Sequence, residues 1–400
     1  MGPLLARELP RLRYAAARLG SGSDVLGLDD TMSRDHDWGC RLTLLVDEVD
    51  RPAVAAIGDV LARELPGRFQ GYPVRFAVTW DETVAHQVHV ATAGDFAASR
   101  LGVNPLHGLS AWEWLTLTGQ HVLEVVAGPV YADTTAELAA VRRELAWYPP
   151  DVERYVLACG WGRLAQRMPL VGRTAQTGQP LQSRLLSAAL VGDLMSLAFL
   201  LHQQWQPYAK WREAMFARLP CAGEMAGPLQ AAVTASDWSD RETALTAAIE
   251  VLAAVQRRHG LPTPDTAVTH YWDRPYRTVP DTVPDLLRAA ISDPALAGLA
   301  VVAGSVEQWV DNVELLAKPA SSAVLTCAYR AWLGQAAGPG CWPGRPTAGR
   351  GSHRRAFSVS GGRRRRAPRP GSREPASGAG RTARSPPGGP ARPRRRARAR

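Results

Sequence analysis

From Ala337 to Arg400 the chain holds no Leu, Ile or Lys, and Gly, Pro, Arg, Ala and Ser make up 56 of the 64 residues. Such a segment cannot bury enough apolar surface to offset its conformational entropy, so any folded core must come from residues 1–336. Charge divides at the same place. The tail carries 18 Arg against one Glu, a net +17, while residues 1–336 carry 29 basic and 36 acidic side chains, a net −7. The +10 of the whole chain therefore says nothing about the body, and no basic groove follows from composition. The tail is expected to be disordered. It reads as a polybasic nucleic-acid arm or as GC-rich DNA translated out of frame. Its abrupt onset just after the helical pattern Val324–Leu333 favours the second, so a nucleic-acid partner is not expected.

Lys210 and Lys318 are the only lysines among 47 basic residues. With abundant Ala, Gly and Pro, this usage is the signature of GC-rich coding. Arginine patches therefore carry less functional weight here, and a retained lysine carries more. The five cysteines lie far apart without a C-x-x-C unit, so neither a disulfide framework nor a zinc site follows. The first 20 residues lack the apolar core of a signal peptide. The most apolar stretch, Leu185–Leu201, contains Asp193 and falls short of the roughly 20 apolar residues of a membrane span. A buried helix is expected there, in a cytoplasmic protein with no membrane partner.

The patterning changes character near Thr134. Before it, Leu4–Leu19 reads as an amphipathic helix stopped at Gly20, Arg41–Val46 as a strand, Arg51–Leu65 as a helix, and Val74–Trp80 and Gln87–Thr92 as strands. After it come longer helical patterns. These are Ala136–Trp147, Val152–Arg167 capped by Asp151, a loop over Gly172–Gln179, then Gln182–Gln204, Leu229–Arg258, Val283–Ala290 and Val306–Ala331. The expected class is α+β, with a small mixed-sheet head at 1–133, a helical domain at 134–336 and the basic tail at 337–400.

One constellation carries chemistry. Gly22-Ser23 is followed, eleven residues on, by Asp35-His36-Asp37-Trp38. On a strand the carboxylates of Asp35 and Asp37 share one face, because side chains alternate with period two. Paired carboxylates suit Mg²⁺, a hard ion that keeps waters and phosphate oxygens in its other positions. The glycine of Gly22-Ser23 allows close backbone approach to phosphate, and the serine adds a hydroxyl. His36 between the aspartates is expected to face away. Asp193, inside an apolar helix, is expected in an ion pair with Arg173 or Lys210. Lys210 offers a compact ammonium for phosphate.

The spacing of Gly-Ser and Asp-x-Asp resembles the signature of the polymerase-beta-like nucleotidyltransferase superfamily. The longer run Gly20-Ser21-Gly22-Ser23-Asp24-Val25-Leu26-Gly27, with Ser33 and Asp35 through Gly39, is similar to the bacterial domain-of-unknown-function family 4037. So are Trp147-Tyr148-Pro149, Gly172-Arg173, Asp193–Leu200 and Pro207–Trp211. The resemblance spans roughly residues 10–333. It implies a nucleotidyltransferase-like head, with Asp35 and Asp37 holding Mg²⁺, Gly22 and Ser23 meeting the NTP, and a third carboxylate from a later strand. His89 stands on the strand where that acid is expected, with Asp81, Glu82 and Asp95 nearby. The place of Lys210 beside the NTP is read from its retention alone. A small molecule or a protein would supply the acceptor hydroxyl. The rival expectation is an inert nucleotide-binding or regulatory module of the same fold.

Overall fold

The computed structural model describes residues 1–34, 37–79, 81–299, 304–312 and 324–329. The chain divides into two compact units, Met1–Arg345 and Pro346–Arg400, and the second lies outside the described residues, as does the expectation of a disordered tail.

The fold is α+β, built on a mixed four-stranded sheet. In chain order the first elements are α1 (Gly2–Glu8), β1 (Tyr14–Ala17), β2 (Leu42–Val46) and α2 (Val54–Glu64). Two small hairpins follow, β3 (Arg68–Phe69) with β4 (Tyr72–Pro73), and β5 (Arg75–Val78) with β6 (Asp81–His86). Then come β7 (Val88–Thr92), α3 (Ala93–Leu101), α4 (Ala111–Thr116), α5 (Gly119–Val126) and β8 (Val130–Asp133). The sheet order is β7-β2-β1-β8, with β1 antiparallel to both neighbours and β2 parallel to β7.

The expected helix over Leu4–Leu19 is corrected. It ends at Glu8, and Tyr14–Ala17 is a central strand. Pro10 bars a continuous helix. The alanines sit where the sheet is covered on both faces: Ala15 and Ala17 pack toward α3 and α5, and Ala16 toward α1 and α2. Two-sided burial leaves no polar alternation to betray a strand.

The helical part comprises α6 (Glu137–Glu144), α7 (Pro150–Gln176), α8 (Pro180–Leu201), α9 (Ala209–Phe216), α10 (Ala222–Thr234) and α11 (Trp238–Arg258). A short hairpin, β9 (Thr269–His270) with β10 (Arg277–Thr278), precedes α12 (Thr282–Ala289) and α13 (Pro294–Ala297). Helix α7 is the spine. Its Val152, Tyr155 and Val156 join the core under the sheet, whereas Trp161, Leu164 and Met168 join the core with α8, α10 and α11.

Four more expectations change. Asp151 does not cap α7; it lies inside the first turn, where its carboxylate accepts from Arg154, the Ser292 hydroxyl and the backbone N–H of Ser292 and Asp293. The Leu229–Arg258 pattern is two helices, because buried Arg241 donates to the carbonyls of Ala235 and Ser236 at the end of α10. Cys327 is disulfide-bonded, whereas Cys40, Cys159 and Cys221 are free thiols. Helix α8 is long and apolar enough to cross a membrane, with 39% of its most apolar window buried against the body, and Leu181 and Leu185 exposed.

The expected loop from Gly172 is helix through Gln176. Gly172 is there for packing: a Cβ would lie 2.6 Å from the Tyr276 ring and 2.7 Å from the Trp238 ring. Gly172→Ala should therefore lose about 1–3 kcal/mol to overpacking, more than the ~1 kcal/mol of helix propensity it gains. Urea unfolding of the variant should show a lower midpoint at unchanged slope.

Candidate functional site

The chain leaves β1 at Ala17 and re-enters the neighbouring antiparallel strand at Leu42, so the connection 18–41 is gathered at one end of the sheet. Because β7 runs parallel to β2, α3 returns from the far end and delivers Arg100 to this same end. Helix α5 brings Glu124, whose carbonyl accepts from the Gly20 N–H at 2.7 Å. These segments line a cavity of about 1870 Å³ that also reaches Lys210 and Glu307.

Arg18 organises the loop. Its buried guanidinium donates to Asp24 at 2.5 and 2.8 Å, to the Ser21 carbonyl at 2.8 Å, and to the Leu19 carbonyl. Gly22 has φ +133°, and a Cβ there would fall 2.3 Å from Asp24 Oδ1 and 2.7 Å from Arg18. Only glycine meets both demands. Ser23 donates its hydroxyl proton to Asp29. Asp30, which accepts from the Ser33 hydroxyl and the N–H groups of Met32 and Ser33, is held below the usual carboxylate range by those bonds first and by Lys210 last.

Asp37 lines the cavity but is not on a strand. It sits in a bend with φ +54°, and β2 begins only at Leu42. Its two carboxylate oxygens accept from Thr79 N–H at 2.6 Å and Thr79 Oγ1 at 2.8 Å. Asp35 and His36 lie outside the described residues, and Asp37 is not on the strand that the same-face reading expected. Gly22, Ser23, Asp37 and Lys210 thus line one cavity.

Lys210 arrives from the helical side. Trp205 stacks among Trp114, Trp147 and Tyr148, and its indole N–H donates to the Leu145 carbonyl at 2.9 Å. That anchor fixes the turn before α9, whose first residues present Lys210 with its ammonium 4.5 Å from the Trp211 ring centroid.

The expected third acids do not reach the cavity wall. His89 packs edge-on against Phe96, and desolvation followed by the Arg100 charge holds its imidazole below the usual range. Asp95 pairs with Arg51 at 2.6 Å, and Asp81 and Glu82 are exposed on β6. Sequence reading missed Glu307. It lines the cavity, and Oε2 accepts from the Gly119 N–H at 3.0 Å. Burial pushes its carboxyl up to about 7, against the lowering by Gly119 and Arg212. Asp193 is in an ion pair, with different partners from those expected: Arg163 at 3.1 Å and Arg167 at 2.7 Å. Arg163 also donates to the Gln308 carbonyl, so the pair braces the turn that carries Glu307.

With this geometry in place, known proteins can be compared. Residues 114–212 match the family described as Domain of unknown function (DUF4037). The DUF4037 match runs from α4 to α9 and takes in Gly119, Asp193 and Lys210; the loop 20–39 lies outside it. A crystal structure of a nucleotidyltransferase-like protein from Exiguobacterium sibiricum 255-15 is similar at 12% identity. The similarity covers 62% of this chain and 70% of that one, with a TM-score of 0.30. No curated protein matches the chain.

Glu307 titrates higher in the folded chain than in the unfolded one, where it falls near 4.3. Its protonated form is the one the fold favours, so its contribution to stability is full below about pH 4 and is lost as pH rises through about 7. Glu307→Gln should raise the melting temperature at pH 8 and leave it nearly unchanged at pH 4.5. Thermal melts of both proteins at the two pH values measure this directly.

Proposed function

We propose that the protein is a Mg²⁺-dependent nucleotidyltransferase that moves a nucleoside monophosphate from an NTP to a hydroxyl of a small molecule or protein, releasing pyrophosphate. The observation that carries this reading is the shared cavity, in which Gly22, Ser23 and Asp37 of the connection 18–41 meet Lys210 from the helical part. The mixed-sheet head would bind the nucleotide and the helical part, from about residue 134, would shape the acceptor side.

The donor set suits Mg²⁺. Asp24, Asp29, Asp30 and Asp37 line the cavity with hard oxygens. Mg²⁺ relies on one or two carboxylates plus phosphate and water. Asp37 would hold it together with Asp35. When bound, the ion would neutralise phosphate charge and support in-line displacement at phosphorus. The backbone at Gly22 and Ser23 and the Lys210 ammonium would orient the triphosphate. Glu307, with a proton affinity near neutrality, would accept the proton of the attacking hydroxyl.

The second reading is an inert nucleotide-binding module, favoured by the engagement of both Asp37 oxygens with Thr79. Calorimetric titration with each of the four NTPs, with and without Mg²⁺, separates them. Wild type should bind one NTP far more tightly with Mg²⁺. Asp35→Asn and Asp37→Asn should remove the Mg²⁺ increment, and Lys210→Met should weaken binding roughly tenfold. Wild type without a Mg²⁺ increment overturns the enzyme reading; an increment without turnover in an acceptor screen supports the inert module.

A further inference from the structure

The cavity has an apolar arm beyond Asp37. Leu42 and Val88 stand in register at the start of β2 and β7, and both line the cavity. They pack with Leu44 and Val46 on the face of the sheet that α1 and α2 cover. Leu4 of α1 and Leu65 just past α2 reach the same cavity from that cover. Arg7 and Glu64, which also line it, neutralise each other in an ion pair at 3.3 Å.

Aromatic side chains join this wall from the first hairpin. The turn between β3 and β4 is Gln70-Gly71, with φ of +49° and +84°, the two positive values that a tight hairpin turn requires. That turn pairs Phe69 directly with Tyr72, so the two rings share one face, and both line the cavity. Tyr72 meets Trp38 edge-on, with ring centroids 5.3 Å apart. The hairpin is fixed in place. Cys40 N–H donates to the Pro73 carbonyl at 2.8 Å, Val74 N–H to the Gly67 carbonyl at 3.0 Å, and Arg68 to the Gly71 carbonyl at 2.7 Å. Phe69 is nevertheless 56% exposed and Tyr72 48%. Two large rings on a fixed hairpin are thus left open where they line the cavity, next to Trp38, the residue after Asp37.

The volume points the same way. A site for one drug-sized ligand occupies roughly 300–1,000 Å³, and this cavity holds about 1870 Å³. A nucleotide at Gly22 and Lys210 leaves room for a second molecule. Leu, Val and Phe offer nothing to a hydrogen-bonding edge, so a sugar or nucleobase in the arm would leave polar groups unpaired. An apolar skeleton meets no such cost and gains by leaving water.

We propose that this arm holds the carbon skeleton of the acceptor, a small aromatic or aliphatic alcohol whose hydroxyl is directed to the Asp37 side of the cavity. The inference rests on the nucleotidyltransferase reading and names its acceptor class. The alcohol oxygen would bond to the α-phosphorus of the NTP, and the bond from that phosphorus to the departing pyrophosphate would break. The hydroxyl proton would pass to Glu307. The first test omits NTP and metal, so that the two readings can fail separately.

Naphthol, cyclohexanol and myo-inositol are titrated into the full chain by calorimetry. Naphthol should bind most tightly, cyclohexanol more weakly and myo-inositol not at all. Phe69→Ala and Tyr72→Ala should each weaken naphthol about tenfold, with Phe69→Leu between. Leu185→Ala, at an exposed leucine away from the cavity lining, should change nothing. Thermal melts confirm that each variant is folded; should an alanine variant fail, Phe69→Leu and Tyr72→Leu take its place. Repeated with adenosine, or with ATP and Mg²⁺, the naphthol titration should be unchanged. Displacement of naphthol by either gives the arm to the nucleobase and overturns the proposal. So does wild type that does not bind naphthol, myo-inositol binding as well as naphthol, or folded Phe69 and Tyr72 variants that bind it unchanged. Naphthol binding that depends on Phe69 and Tyr72, in a protein without a Mg²⁺ increment for any NTP, sustains the arm as a site for apolar alcohols and removes the enzyme reading instead.

Discussion

The buried Arg18 guanidinium, set immediately after the central strand, is the interaction on which the rest of the sheet end depends. A charge in that position needs its donors filled, and the residues that fill them are the loop itself: the carbonyls of Leu19 and Ser21 and the carboxylate of Asp24. The loop is therefore wound around its own cation. Its path past Gly22 follows from that winding, and so does the close packing of Asp24 and Arg18 against the Gly22 backbone. Arg18 also ties the loop to the sheet, since its own N–H donates to the Pro129 carbonyl at the entry to β8.

A second set of charges does comparable work at the other side of the cavity. Asp193 holds Arg163 and Arg167 on α7, and Arg163 reaches on to the carbonyl of Gln308. Gln308 also donates to the Val156 carbonyl and accepts from the Ser305 N–H, so the turn is fixed at three points. Glu307 sits in the middle of this turn. An acid in the apolar helix α8 thus acts at a distance, by holding the segment that presents another acid to the cavity.

The α+β class, the helices α7 and α8, and the convergence of Gly22, Ser23, Asp37 and Lys210 were legible in the residues. Loop glycine, acidic residues and a rare lysine stand out against an Ala- and Arg-rich background. The central strand was not legible, because Tyr14–Ala17 is built from the best helix-forming residue and is buried on both faces. Gly172 read as a loop because its reason, two aromatic rings from α11 and the β9–β10 hairpin region, is tertiary. Arg18 and Arg100 were hidden for the opposite cause: in a chain with 45 arginines, no single one is conspicuous. Glu307 had no motif around it, and only the fold brings it to Gly119.

The cavity wall joins the Gly22 loop to Glu307 and Asp311, so its two sides are separated by most of the folded chain. Contacts of such long sequence separation close late, after local helices and hairpins have formed, because loop-closure entropy must be met before they yield any return. During synthesis the sheet end can be complete as soon as β8 has emerged, while its opposite wall still awaits the turn at residues 304–308. Until then the guanidinium-lined loop is open to solvent on one side. The pocket is in this sense a late structure, and the head acquires it only once the helical part has docked.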